Sequence, residues 1–356
     1  MLDNVFFLGA GFSKAIDETY PLMNELSEIL FGKDYKDFTY INNLPTSIKN
    51  NTNNFERILT YLSTDFPWKT DYEKLTDKAE FLRLTTKIHD YFWGKARLST
   101  KKYRDNKALW AYILLKNSPI ITLNYDLLIE RNLELVNKQI ENPRLGVIVG
   151  NPESEDKFYK GAVLDIKCKT DNVINLSDEM PEILKLHGSV NWYYFNTGDA
   201  TQIYCADKDV QIEDVLIGAY SPYIVPPILD KTSLYSHKIL QHIWSKAYQY
   251  LKHAKAIYII GFSFPETDSA IRYLFESALS SNKNNPNIYV VDICEKEEFK
   301  KRCISVLGEN CKFEYCGEEA LENFIKNELL TQIRQEEIKS KNNQSTEEHI
   351  NDIWAK

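Results

Sequence analysis

The sequence contains no cysteine pair in C-x-x-C spacing, although six cysteines occur among its 356 residues. This absence argues against a zinc ribbon or a redox dithiol, so we expect all six to be ordinary thiols. No apolar run reaches the roughly 18 residues that a membrane-spanning helix needs. Because the first residues also lack the basic flank of a signal peptide, we expect a cytoplasmic protein with no membrane partner.

Positive charge is not in excess either, since the formal net charge is −8. This balance argues against a protein that coats nucleic acid, and we expect no direct nucleic-acid partner. Apolar residues make up 43% and charged residues 26% of the chain. These fractions are ordinary for globular proteins and exclude collagenous and disordered classes.

Short apolar, β-branched runs alternate with helical patterns along much of the chain. Such alternation predicts an α/β fold with a parallel, Rossmann-like sheet and helices on both faces. Residues 24–117 show helical spacing without a strong strand, so we interpret them as an inserted helical subdomain. We expect residues 1–23 and 118–330 to form the main domain and residues 331–356 to form a charged C-terminal tail.

The first apolar run ends in the turn Gly9-Ala10-Gly11-Phe12-Ser13. Glycines let a backbone turn tightly and approach a phosphate closely, and Ser13 is a possible helix cap. Position 14 is Lys14 where the full dinucleotide fingerprint has a third glycine. The loop therefore predicts either a phosphate cradle or a purely structural turn, and a Cβ at Gly11 should be poorly tolerated in both cases.

Polar side chains follow the next two apolar runs. Thr122-Leu123-Asn124-Tyr125-Asp126 offers an amide and a carboxylate beside a strand end, although Asp126 could equally cap the following helix. Lys185-Leu186-His187-Gly188-Ser189 places a histidine at another strand end, where it could exchange protons near neutral pH. A lone histidine in a protein is more often structural, so His187 alone does not establish catalysis.

Two more strand ends carry possible ligand-binding groups. Gly261-Phe262-Ser263 follows the strand "AIYII", and Asp292 ends "NIYVVD". A glycine-serine turn could contact a phosphate, and an acid at a strand end can accept hydrogen bonds from ribose hydroxyls. Either feature alone is usually structural.

The order of these motifs resembles the sirtuin family, and more closely the bacterial sirtuin-like proteins of antiphage defence that degrade NAD. The resemblance covers residues 5–15 and about 118–293. It implies that Gly9, Ala10, Gly11, Phe12 and Ser13 hold the diphosphate and nearby ribose. By the same resemblance Asn124 and His187 form the catalytic pair, and Thr122 and Asp126 line the nicotinamide-ribose pocket. The remaining implied contacts are Gly261, Phe262 and Ser263 with the second phosphate or ribose, and Asp292 with the adenosine ribose.

The sequence departs from protein-deacylating sirtuins in one informative respect. Those enzymes carry a zinc module of two C-x-x-C pairs and a G-I-P-x-F-R stretch, and this sequence has neither. The resemblance therefore implies a metal-independent NAD hydrolase that releases nicotinamide and ADP-ribose, gated as a homo-oligomer or by a defence-system partner protein. The alternatives are an NAD-dependent deacylase or ADP-ribosyltransferase, and a non-catalytic nucleotide-binding regulatory subunit.

Overall fold

Two sheets and a set of helices make up the part of the chain that the computed structural model describes. That part comprises residues 3–32, 39–45, 48, 55–96, 106–137, 162–165, 181–195, 202–205, 220–228 and 238–341. The strands are Asn4–Leu8 (β1), Ile120–Thr122 (β2), Ala162–Asp165 (β3), Ile183–Lys185 (β4), Gly188–Phe195 (β5), Gln202–Cys205 (β6), Tyr220–Ile224 (β7), Ala256–Ile260 (β8), Asn287–Asp292 (β9) and Cys311–Cys316 (β10).

The helices occur between these strands and at the C-terminal end of the described chain. They are Ala10–Ile16 (α1), Met23–Phe31 (α2), Thr39–Asn42 (α3), Phe55–Ser63 (α4), Asp71–Ala96 (α5), Lys107–Leu115 (α6), Leu128–Asn137 (α7), Lys238–His253 (α8), Ser269–Ser280 (α9), Glu297–Leu307 (α10), Ala320–Phe324 (α11) and Leu330–Lys341 (α12), with a π-helical turn at Ile325–Leu329. None of the described helices combines the length and apolar character that crossing a membrane requires.

The main sheet has six strands in the order β10-β9-β8-β1-β2-β4, and every pairing within it is parallel. Side chains of β1 alternate between its two faces, as the period of a strand requires. Val5 and Phe7 pack with helices α8, α9 and α10, whereas Phe6 and Leu8 pack with helices α4, α6 and α7. The predicted fold class, a parallel sheet with helices on both faces, is therefore confirmed.

The helical region expected at residues 24–117 shares a core with the sheet. Its described part contains helices and no strand. Phe55 and Trp110 belong to the same buried cluster as Phe6 and Leu8 of β1. These helices therefore cover one sheet face directly, so unfolding them would expose the sheet.

Three local predictions differ from the structure. Ser13 does not cap α1, because the helix begins at Ala10 with Gly9 in the capping position. Strand β10 was not predicted, because it lies at the edge of the sheet and Lys312 and Glu314 interrupt its apolar pattern. A second sheet, antiparallel and ordered β3-β6-β5-β7, was also not anticipated as a separate unit.

The expected boundary at residue 331 falls inside a continuous helix, since α12 begins at Leu330. Ile333 is buried. The Tyr112 hydroxyl donates to Gln332 Oε1 at 2.5 Å, and Gln332 Nε2 donates to the Tyr258 hydroxyl at 3.0 Å. The beginning of the predicted tail therefore packs on the domain. Residues 342–356 of the predicted tail lie outside the described residues.

Candidate functional site

Five motifs that are far apart in sequence meet at one edge of the main sheet. Strands β9, β8, β1, β2 and β4 are consecutive neighbours and all run in parallel. Their carboxyl ends carry the polar or glycine-rich motifs at Asp292, Gly261, Gly9, Asn124 and His187. The chain order reverses between β1 and β8, and ligands of open α/β sheets bind in the crevice at such a switch point.

The glycine-rich loop after β1 is pressed against the loop after β8. The Gly9 amide donates to the Ile260 carbonyl, and the Gly11 amide donates to the Gly261 carbonyl, each at 3.0 Å. A Cβ at Gly11 would lie 2.9 Å from both the Cα and the carbonyl oxygen of Gly261. The chain's own backbone therefore accounts for the glycine at position 11. Ala10, between the two glycines, is exposed.

Gly261 is the most constrained residue in this contact. Its φ of +65° lies in the left-handed region, and an added Cβ would come within 2.1 Å of the Phe12 amide nitrogen. The left-handed conformation alone costs a residue with a Cβ about 1–2 kcal/mol. We expect Gly261→Ala to lower the free energy of unfolding by more than that, because of the added backbone clash. Urea denaturation would measure this loss.

Gly308→Ala is the matched control for that measurement. Gly308 also has a positive φ, of +84°, but an added Cβ would meet no atom within 4 Å. Gly308→Ala therefore carries the free-energy cost of a positive φ without a backbone clash. Equal destabilisation by the two substitutions would show that the packing between the two loops is looser than this geometry indicates.

Asn124 connects the glycine-rich loop to the end of β2. Its Nδ2 donates to the Gly9 carbonyl at 2.8 Å and to Ser13 Oγ at 2.9 Å. Ser13 Oγ in turn donates to Asp126 Oδ2 at 2.9 Å. Asp126 Oδ1 accepts from the Leu128 amide at 3.0 Å, which caps α7. The capping role suggested for Asp126 is therefore present, together with a bond toward the loop.

Several of the other predicted site side chains are used inside the fold. Thr122 is fully buried, and its Oγ1 donates to the Leu8 carbonyl at 2.7 Å. Phe12 packs edge-on against Trp110 with ring centroids 5.6 Å apart, and Phe262 packs similarly against Phe7 at 5.2 Å. Any contact of these three residues with a ligand would rely on their backbone. Their assignment to the binding site stays a prediction.

His187 follows β4 and is held on both sides of its backbone. Its carbonyl accepts from the Val225 amide at 2.7 Å. Gly188 has a φ of +76°, and a Cβ there would lie 2.2 Å from the Tyr223 carbonyl oxygen. The imidazole is 5% exposed and lies beside the indole of Trp244, with ring centroids 6.5 Å apart. Trp244 comes from α8, and no local pattern in the sequence indicated this neighbour.

Asn124 and His187 occupy equivalent places on adjacent strands. Thr122 pairs with Lys185 in the β2–β4 register, and each of the two residues lies two positions beyond that pair. The Leu186 amide donates to the Thr122 carbonyl at 2.9 Å, so the two chain segments stay side by side past the strand ends. The structure thus places on neighbouring chain segments the two residues that the resemblance paired.

Lys185 was named in a sequence motif, but its buried ion pair, which lies on the chain segments next to these two residues, was not predicted. Lys185 is 1% exposed, and its Nζ lies 2.8 Å from Glu130 Oε1 and 3.1 Å from Ser189 Oγ. It also donates to the Asp126 carbonyl. Burial raises the pKa of the Glu130 carboxyl, and the adjacent Lys185 ammonium opposes that rise. The available signal was a lysine inside the otherwise apolar run at residues 183–186.

Asp292 lies at the opposite side of the crevice, at the end of β9. Burial raises the pKa of the Asp292 carboxyl. The Cys294 amide donates a hydrogen bond to Asp292 Oδ1 at 2.9 Å, which opposes the rise. An acceptor in this place suits a hydroxyl-bearing ligand. Within the described ranges, no three or more His, Cys, Asp or Glu side chains cluster as a metal site would require.

A family model described as "SIR2-like domain" matches residues 118–315, which is more than half of the chain. The chain belongs to the SIR2-like family. The matched region includes the Asn124, His187, Gly261 and Asp292 strand ends, whereas the glycine-rich loop after β1 lies outside it. No curated protein matches the sequence.

Solved Sir2 structures are similar to the chain over most of its length. A Sir2 homologue mutant in complex with ADP-ribose is 12% identical, with 93% of this chain and 92% of that chain covered and a TM-score of 0.45. A Sir2 structure with a p53 peptide and NAD is 12% identical, with 93% of both chains covered and a TM-score of 0.40.

Proposed function

We propose that this SIR2-like protein hydrolyses NAD at the bond between nicotinamide and ribose, giving nicotinamide and ADP-ribose. The observation that carries the proposal is that the Gly9, Asn124, His187, Gly261 and Asp292 strand ends lie along one edge of the parallel sheet, where open α/β sheets form their ligand crevice. Such a crevice is long enough for a dinucleotide, because it extends across five neighbouring strands spaced about 4.8 Å apart.

The chain's own residues suit each part of this reaction. Nicotinamide leaves a cationic ring as a neutral molecule, and the transition state resembles an oxocarbenium ion, as in other glycoside cleavages. Asn124 would orient the attacking water or the carboxamide, and His187 would accept a proton from that water or from a ribose hydroxyl. Both residues are at most 7% exposed, so few competing waters reach them. Asp292 would accept from the adenosine ribose.

Hydrolysis is favoured over protein deacylation by the sequence itself. The paired cysteines that build the zinc module beside the acyl-peptide site of deacylating sirtuins are missing. We further propose that the protein is an antiphage-defence effector that depletes NAD. Because unregulated depletion would harm the cell, activity would be gated by oligomerisation, a partner protein or a phage component.

The test begins with calorimetric NAD binding, which does not depend on a gate. Product analysis then follows NAD incubation with and without an acyl-lysine peptide, an acceptor protein and a chelator. We expect binding, and nicotinamide and ADP-ribose in equal amounts without peptide or acceptor, at a rate that the chelator leaves unchanged. Failure to bind NAD would overturn the proposal. Turnover that requires the peptide or acceptor would favour the transferases, and binding without turnover under any activating condition would favour a regulatory subunit.

A further inference from the structure

Tyr125 directly follows Asn124 in the chain, yet its hydroxyl is bonded to a loop that is distant in sequence. The side chain is buried, and the hydroxyl donates to the Val225 carbonyl at 2.5 Å. Val225 follows β7, so this bond joins the chain after β2 to the chain after β7. The Val225 amide donates to the His187 carbonyl at 2.7 Å. Val225 therefore links the Tyr125 hydroxyl to the backbone of His187.

A second connection to the His187 segment runs through the backbone of Tyr125. The Tyr125 carbonyl accepts from the Val190 amide at 3.0 Å. Val190 lies on β5, three residues after His187. Tyr125 is therefore bonded with its main chain to the strand that follows His187, and with its side chain to the loop that pairs with His187.

Helix α5 holds the Tyr125 ring and one of its bonding partners in place. Phe92 of α5 packs edge-on against the ring, with centroids 5.9 Å apart. The Nε2 atom of His89, one turn earlier on the same helix, lies 2.9 Å from the Val190 carbonyl oxygen. Because both contacts come from one helix, the Tyr125 ring and β5 are held by the same rigid element. The hydroxyl is thereby directed at Val225.

We propose that Tyr125 is a positioning residue, which fixes His187 at its place relative to Asn124. The inference rests on the proposed function, because it names the residue that places the proposed base. Asn124 precedes Tyr125 directly, and His187 is reached through Val225 and Val190. Without the hydroxyl, the Val190 bond would persist and Val225 would lose the bond at its carbonyl. Displacing a reacting group by 1 Å can cost about 10²-fold in rate.

The catalytic test uses Tyr125→Phe, which removes one hydroxyl and keeps the ring that packs against Phe92. We expect kcat for NAD cleavage under activating conditions to fall by about 10–100-fold, while calorimetric NAD affinity stays within about twofold. Tyr258→Phe is the matched control. Tyr258 is also buried and loses a bond from Gln332 Nε2, but it lies on β8, three strands away from β4. A Tyr125→Phe protein with the parent kcat, or an equal fall in both variants, would overturn the proposal.

Hydrogen exchange of the protein without NAD tests the same link separately. We expect Tyr125→Phe to speed exchange of the Val225 amide by up to about tenfold, the effect of losing one hydrogen bond, and Tyr258→Phe to leave it unchanged. The two residues after Val225 are prolines without an amide, so its signal is easily isolated by mass spectrometry. Unchanged exchange at Val225 would overturn the proposal. A parent protein that does not cleave NAD would instead refute the proposed reaction, and exchange would still decide whether Tyr125 holds the His187 segment.

Discussion

Replacing His187 with alanine should reduce NAD cleavage by about 10²–10⁴-fold, the range that a positioned general base contributes. His187, which follows β4, is the proton acceptor that we propose, and its backbone is fixed by the Val225 amide and by the close approach of Gly188 to Tyr223. The imidazole itself lies beside Trp244. The substitution removes the base while these backbone contacts persist, so NAD binding should change little.

His253→Ala is the control, because His253 is an exposed histidine at the end of α8, away from the crevice. Single-turnover rates under activating conditions, with calorimetric NAD affinity and thermal unfolding of the same samples, separate chemistry from binding and folding. A His187→Ala protein that is folded and cleaves NAD at the parent rate would remove His187 from the mechanism. A loss of rate shared by His253→Ala would point to a general effect on the domain.

Strands β1 and β8, which are buried on both faces, could be predicted from the sequence, whereas the edge strand β10 could not. The β1 and β8 runs are continuous and apolar because helices cover both of their sides. Strand β10 alternates apolar residues with Lys312 and Glu314 at the rim of the sheet, and its pattern resembles that of an exposed segment. The antiparallel sheet depends on contacts between segments whose pairing no local pattern specifies.

The candidate site was predictable where its residues follow strand ends. Parallel strands place their carboxyl ends at the same edge, so the motifs at Asn124 and His187 could be placed together before their contacts were known. The partners of these motifs could not be predicted. Glycine at position 11 was recognisable, but its contact with Gly261 depends on the β1–β8 register.

The buried ion pair shows the same limit most clearly. Lys185 and Glu130 lie on β4 and α7, and no local pattern in either segment indicates that the two residues pair. Only the fold brings them within 2.8 Å and removes both from water. Lys185 also bonds the Asp126 carbonyl and Ser189 Oγ, so the ion pair connects the two chain segments that carry Asn124 and His187.

Lys185→Met should therefore lower the free energy of unfolding by about 3–5 kcal/mol, the cost of leaving one buried charge without its partner. Glu130 would stay in the core without the Lys185 ammonium. Glu130 Oε2 already has no hydrogen-bond partner among the described residues. Lys14→Met is the matched control. Lys14 forms an ion pair with Glu25 whose side chains are 32% and 48% exposed, and such pairs contribute about 0–1 kcal/mol. Urea denaturation at neutral pH would compare the two.

The pH dependence of that loss identifies its cause. Burial already raises the pKa of Glu130 in the folded protein, and removing Lys185 should raise it further. A group whose pKa is raised by folding favours the folded state at acid pH and loses that contribution as pH rises through the folded value. The deficit of Lys185→Met should therefore be small at acid pH and grow toward neutrality. Lys185→Met/Glu130→Leu should recover most of the stability, since a buried ion pair can often be replaced by apolar residues of similar size. If the double variant is as unstable as Lys185→Met at every pH, the loss arises from the bonds of Lys185 to Ser189 and the Asp126 carbonyl, and the unpaired carboxylate is not its cause.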